Sequence, residues 1–318
     1  MMLKPEGFLF QGGIMRYSKP PITVDQQVQL LIERGLKCAD LPRCNRYLSR
    51  IGFYRLSAYC LPFEQPSSEL TKRNHNFRLG TDFDQILSLY IFDRKLRLVV
   101  LDALERIEVA VRTAYAKEMS LAYGAHAHLN SGLFKDQDQH QRQLATVETD
   151  LRRSHETFVK HYQQKYTEPA MPPIWAIVET MSFGNLSRWL GNTEDTELKK
   201  KIMKSFGMPT INILERVLHT LTPVRNDCAH HSRLWNRRYT MAPPTIRIIE
   251  SRLVSDSSKY YLFNYLVIIE YLLSQINRGS QWKNRLVGLL CTLHPVQLKS
   301  MGFPDDWQNR DPWKEVQV

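Results

Sequence analysis

The sequence predicts an all-α protein. Three observations carry that expectation. Apolar residues recur at helical spacing over most of the chain, no region is rich in strand-forming residues, and no internal repeat or low-complexity block interrupts the pattern. With 318 residues, 43% of them hydrophobic, the chain can bury a substantial core.

Residues 1–21, punctuated by Gly and Pro, read as an irregular segment, without the long apolar run or cleavage site of a signal peptide. Thr23 is the expected N-cap of a helix with Val24, Val28, Leu31 and Ile32 on one face and Gly35 as its stop. A second helical stretch covers 40–59, and 62–77 reads as a polar loop. From 82 to 123, Ile86, Leu89, Tyr90, Leu96, Val99, Val100, Ala103, Leu104 and Ile107 recur at helical spacing. That length implies either one long spine or two helices in line.

The polar segment 137–166 is expected to be one solvent-facing helix. Residues 172–190 begin with Pro at first-turn positions and carry a Gly interruption at 184. A short charged helix follows over 194–206. An amphipathic helix spans 210–231, with Leu214, Val217, Leu218, Leu221, Val224 and Cys228 on its stripe. After a break comes a strongly apolar helix, and the ending MGFPDDWQNRDPW is expected to pack on the surface. The expected organisation is an irregular 1–21, a helical domain over 22–240, and a C-terminal helical extension over 241–318 packing on it.

Lys and Arg total 43 against 32 Asp and Glu, a formal charge of +11, which suits a polyanionic partner such as nucleic acid. No apolar run reaches the roughly 18 residues that span a bilayer, because charges interrupt even LSLYIFDRKLRLVVL. The five Cys (38, 44, 60, 228 and 291) form no CxxC pair and fit a reducing compartment. A cytoplasmic protein without a membrane partner is expected.

The densest chemistry lies at 221–238, LTPVRNDCAHHSRLWNRR. Adjacent His230 and His231 point about 100° apart on a helix and cannot share a metal as an i, i+4 pair would, so no metal and no cofactor is expected. Cys228 lies on the apolar stripe, where burial makes a poor nucleophile. Arg225 offers a fixed fork of donors that matches phosphate oxygens. An imidazole can take a proton from a ribose 2′-OH or return one to a leaving 5′-oxygen. Asn226 stands i, i+4 from His230 and could orient it. Pro223 should kink or restart the helix, with Thr222 as N-cap and Arg225 in a fresh first turn. On residues alone, phosphate chemistry and a structural basic helix end stand about equal.

Arg225-Asn226-Asp227-Cys228-Ala229-His230 resembles the Arg-x4-His motif of HEPN-superfamily ribonucleases. The wider RNDCAHHSRLWNRR is similar to the signature of Abi-like abortive-infection proteins of the AbiD/AbiF type. Further blocks match in order: KPPITVDQQVQLLIERGL (19–36), YLSRIGFYRLSAYCLPFE (47–64), FDQILSLYIFDRKLRLVVLDALERIEVAVRT (83–113), EPAMPPIWAIVETMSFGNLSRW (168–189) and MGFPDDW near the end. Pro223 departs from the family pattern.

The resemblance implies a HEPN-like helical bundle with additional N-terminal and C-terminal helices. Its activity would be that of a metal-independent endoribonuclease of antiphage defence, harmful to its own cell unless restrained. Arg225 would bind and stabilise the phosphate, Asn226 would orient His230, and His230 or His231 would do the acid/base work. HEPN sites are commonly composite. Since no second Arg here is followed by His at that spacing, a homodimer through the motif helix is expected. RNA is the expected substrate, and a structured noncoding RNA a possible partner. The alternative is a non-catalytic RNA-binding scaffold that uses the same motif to hold such an RNA.

Other RNA contacts are expected at Arg46, Arg50, Tyr54 and Arg55, where basic and aromatic residues interleave, and at Arg233, Arg237 and Arg238 beyond the motif. The competing reading is core aromatics with snorkelling Arg. Trp235 reads as a packing anchor. On the long central stretch, Glu105 and Arg106 are candidates to support the site across a helix pair. Charge pairs within one helix explain them, Glu108 and Arg112 equally well.

Overall fold

A computed structural model describes residues 19–67 and 73–316. Most of the expected irregular segment, and part of the expected polar loop, lie outside the described residues. Among the described residues the chain forms thirteen α-helices and no strand, only three isolated bridges. They fall into two compact units that divide between Tyr90 and Ile91.

In the first unit, α1 (Val24–Glu33) begins at Thr23 in a capping box with Gln26. It ends where Gly35 takes φ +91°, a left-handed geometry that Gly adopts without a Cβ clash. The stretch 40–59 is two helices rather than one, α2 (Leu41–Ile51) and α3 (Phe53–Cys60). Gly52 separates them at φ +85°. Cys44, Leu48, Leu56 and Tyr59 face inward, and Glu64 is buried against Arg73.

The long apolar pattern is one spine, α4 (Phe83–Tyr123), of 41 residues. Within the second unit Leu96, Val100, Ala103, Leu104, Ile107, Val111 and Tyr115 form its buried stripe. The polar segment 137–166 is not a single solvent-facing helix. It breaks at Ser154 into α5 (Gln137–Arg153) and α6 (Thr157–Lys165), and α5 buries His140, Gln143, Val147 and Leu151. One face of a polar helix suffices for burial when its few apolar residues share that face.

The break within 172–190 also lies elsewhere than expected. α7 (Ile174–Thr180) ends at Met181, and Ser182 caps α8 (Phe183–Asn192). Gly184 sits inside α8, where a Cβ would lie 3.1 Å from Thr222 Cγ2. Glycine there lets two helices approach closely instead of breaking one. α9 (Thr196–Ser205) and α10 (Ile211–Ala229) follow, and α10 packs on both α8 and α9. α11 (Leu262–Ile276) is buried along most of its length. α12 (Trp282–Leu290) and α13 (Pro295–Lys299) precede the tail. The tail packs its large side chains inward: Met301, Phe303, Trp307 and Trp313 are buried, while Asp305, Asp306, Gln308 and Asn309 stay exposed.

Near α5, His128 is fully buried and neither ring nitrogen has a hydrogen-bond partner among the described residues. Burial, helped by His126 and His140, pulls its pKa down to about 4. The unfolded chain therefore binds a proton that the folded chain refuses between pH 6.5 and about 4. Stability is fully present above that window and is lost as pH falls through it, by about 3 kcal/mol. Thermal unfolding followed from pH 7 to pH 4 should show this fall, and His128→Asn should flatten it. Parallel curves for both proteins would disprove the assignment.

Candidate active site

α10 runs unbroken through Pro223 to Ala229. The expected restart at Thr222 does not occur. Thr222 is no N-cap: its hydroxyl donates to Leu218 O at 2.9 Å, one turn back along the same helix. The Thr220 hydroxyl similarly reaches Arg216 O at 2.9 Å. The reason is the stripe Leu214, Val217, Leu218, Leu221, Val224 and Cys228, all buried, which a restart would turn out of the core. Arg225 consequently lies near the end of a long helix, not in a first turn.

The end of α10 falls within the motif. His230 is the C-cap, and its N–H donates to Asn226 O at 2.8 Å. His231 has φ +57°, the left-handed position normally given to glycine. Its N–H reaches Cys228 O at 3.2 Å, and Ser232 N–H reaches Asp227 O at 2.8 Å, the paired bonds of a Schellman ending. Both imidazoles are exposed. Holding a non-glycine residue left-handed costs about 1–2 kcal/mol. His231→Gly should therefore keep or raise stability, by up to about 1 kcal/mol against the added freedom of the unfolded chain. Urea unfolding checks this; a clear loss would show that contacts of the His231 ring outweigh the strain.

α4 supplies the support. Glu108, only 4% exposed, accepts from Arg225 Nε at 2.9 Å and from Arg112 Nη2 at 2.5 Å. Arg112 also donates to Met181 O at 2.7 Å and lies 3.5 Å from Glu179, tying the end of α7 to the same carboxylate. With its Nε held from behind, Arg225 keeps both Nη groups without a protein partner among the described residues. Farther along α4, Asp93 and Arg97 form a buried pair at 2.5 Å. Asp93 Oδ1 accepts the N–H groups of Leu234 at 3.2 Å and Trp235 at 2.7 Å. Trp235 is a buried anchor, as expected, and its indole N–H donates to Gln297 O at 3.1 Å. The turn after the two His is thus fastened from below.

Asn226 makes no side-chain hydrogen bond among the described residues, so its contact to His230 is through its backbone carbonyl. Cys228 is buried, and burial pushes its thiol up to about 12. Burial likewise raises the Asp227 carboxyl, against the pull of Arg237 at 2.8 Å. Arg237 is therefore half committed to an internal pair, whereas Arg238 is exposed and stacks over Tyr260 at 4.5 Å. Arg233 is half-buried. In the first unit Arg46, Arg50 and Arg55 are exposed and Tyr54 is 93% exposed, so Tyr54 is no core aromatic.

Glu105 is exposed, and Arg106 pairs with Asp102 at 3.0 Å, so neither reaches the motif. Their neighbour Glu108 does, and Arg112 is linked to the motif through that carboxylate. The signal was present in the sequence: Asp93, Arg97, Glu108 and Arg112 all fall in register with the apolar stripe of α4, where an unpaired charge is rare. Among the described residues no group of three or more His, Cys, Asp or Glu is placed to hold a metal ion.

Residues 46–236 match a family model described as Abi-like protein. The matched span contains α4 from its start, the whole of α10, both His and the anchored turn. Comparisons with curated proteins and with solved structures return no match.

Proposed function

The chain belongs to the Abi-like protein family, and with it to abortive-infection defence, and on that premise we propose that it is a HEPN-type endoribonuclease. One observation carries the reading. A guanidinium is clamped at Nε by a buried carboxylate, with its two Nη groups unpaired, on the helix whose last residues present two exposed imidazoles. A fork held that way meets two phosphoryl oxygens without having to be ordered first.

In the proposed reaction an imidazole takes the proton of a ribose 2′-OH. The 2′-oxygen then attacks the adjacent phosphorus, and the bond to the 5′-oxygen breaks. The second imidazole donates a proton to that leaving oxygen. Arg225 stabilises charge developing on the phosphoryl oxygens. The products are a 2′,3′-cyclic phosphate and a 5′-OH, with no redox change and no metal required. In this reading two chains meeting along α10 bring two copies of the motif face to face and complete a composite site.

The test is cleavage of end-labelled RNA in EDTA by wild type, Arg225→Ala and His230→Ala. Cyclic-phosphate ends from wild type and their loss in both variants support the enzyme. Wild-type protein that binds RNA without cutting it under activating conditions would favour the scaffold reading instead. The exposed Arg46, Arg50, Tyr54 and Arg55 give that reading its own support, since they offer charge and a stacking ring but no acid/base group.

A further inference from the structure

A cavity of about 600 Å³ lies beside α10, lined by Arg216 and His219 from the helix and by Thr240, Pro243, Lys259 and Tyr260 among others. No Asp or Glu lines it. Among the described residues Arg216, Lys259 and Arg238 make no ion pair, and Arg238 and Lys259 lie over the Tyr260 ring at 4.5 and 5.5 Å. Cations gathered around one cavity repel each other, and a protein ordinarily relieves this with a carboxylate. Here no carboxylate lines the cavity, which leaves an anion from outside the chain a favourable place to bind. Hydroxyls of Thr240 and Thr245 add neutral donors, while Tyr260 and the two prolines 243 and 244 supply flat apolar surface. Cation, hydroxyl and ring together are the groups that hold phosphate, sugar and base.

The cavity also shares a face of α10 with His230 of the motif, while Arg225 turns to the other side, toward Glu108. Arg216, His219, Pro223, Asn226 and His230 recur at i, i+3, i+7, i+10 and i+14, one face of α10, and all but half-buried Asn226 are exposed. From Arg216 to His230 that face runs about 21 Å, a few nucleotides of an extended strand. It carries no acidic residue between the two ends except Asp227, which is turned inward and paired with Arg237.

We propose that this cavity is a nucleoside-phosphate subsite for an RNA strand that runs along this face of α10 to His230. Its place on the substrate rests on the ribonuclease reading; its preference for a phosphate-bearing ligand does not. Arg216 and Lys259 hold the phosphate, and Tyr260 with the proline wall receives the base.

The test uses the full chain and a fluorescent 2′-O-methyl RNA oligonucleotide, which lacks the 2′-OH and is not consumed. Anisotropy titrations over a salt series compare wild type with Arg216→Ala/Lys259→Ala, both exchanges lying on partly or fully exposed side chains. The double variant should bind at least tenfold more weakly, and its salt dependence should drop by about 0.7 in log–log slope per cation removed. Adenosine monophosphate should compete with the oligonucleotide at this site. Unchanged affinity and slope in the variant would overturn the proposal. So would monophosphate binding that leaves the oligonucleotide in place, since the cavity would then be a separate nucleotide pocket. Cleavage of natural RNA is scored separately. Wild type that binds in this cation-dependent way but never cuts keeps the subsite and loses the ribonuclease, whereas cutting with an unaltered KM in the double variant keeps the ribonuclease and loses the subsite.

Discussion

Arg225→Ala is expected to lower RNA cleavage by about 10²–10³-fold while the helices remain folded. The side chain is about a quarter exposed, at 27%, and Glu108 keeps Arg112 as a partner, so the buried carboxylate is not abandoned. The loss is then chemical rather than structural. Arg225→Lys should not rescue it, because an ammonium offers a point charge where a fork is needed. Glu108→Gln separates positioning from charge. It still offers an oxygen to Nε but no negative charge, and should lower kcat more than it raises KM by leaving the guanidinium free to rotate. Far-ultraviolet dichroism beside the cleavage assay distinguishes these outcomes from unfolding. Full activity in Arg225→Ala would end the proposed role of the clamp.

Asp93→Ala should bring the largest loss of stability, about 3–5 kcal/mol. The substitution removes a carboxylate with no exposure from beside Arg97, itself only 5% exposed, and strips the N–H groups of Leu234 and Trp235 of their acceptor. Each buried donor left unsatisfied costs about 1–3 kcal/mol. Because the same oxygen fastens the turn that follows His231, the variant should also lose activity where it remains folded. Asp93→Asn retains an acceptor for the two N–H groups and should cost distinctly less. Urea midpoints of the three proteins test the order. A shift of less than about 1 kcal/mol for Asp93→Ala would mean that the turn holds without it.

The stripe of α10 was legible from its period alone, and with it the burial of Cys228. So was the N-cap at Thr23, because a Thr followed by Gln at the third position satisfies two backbone donors locally. Local rules failed where a neighbour outweighed them. Pro223 reads as a break, yet α10 continues, because burying Val224 and Cys228 in one stripe is worth more than one backbone hydrogen bond. Gly184 reads as an interruption, yet it is a contact point for Thr222. Gly52, by contrast, does divide a stretch that reads as a single helix.

The sequence by itself determined the helical class, the apolar stripes, the basic balance and the motif Arg225 to His231. These follow from residue type and spacing along one chain. Only the tertiary structure decided that Arg225 is held by Glu108, that His231 sits left-handed at a Schellman ending, and that Asp93 anchors the turn beyond it. Glu108 and Arg225 are 117 residues apart, and no periodicity within either helix specifies which face meets which. That choice belongs to the packing of α4 and α10 in three dimensions, where a buried charge must find its partner or shift the fold that buries it.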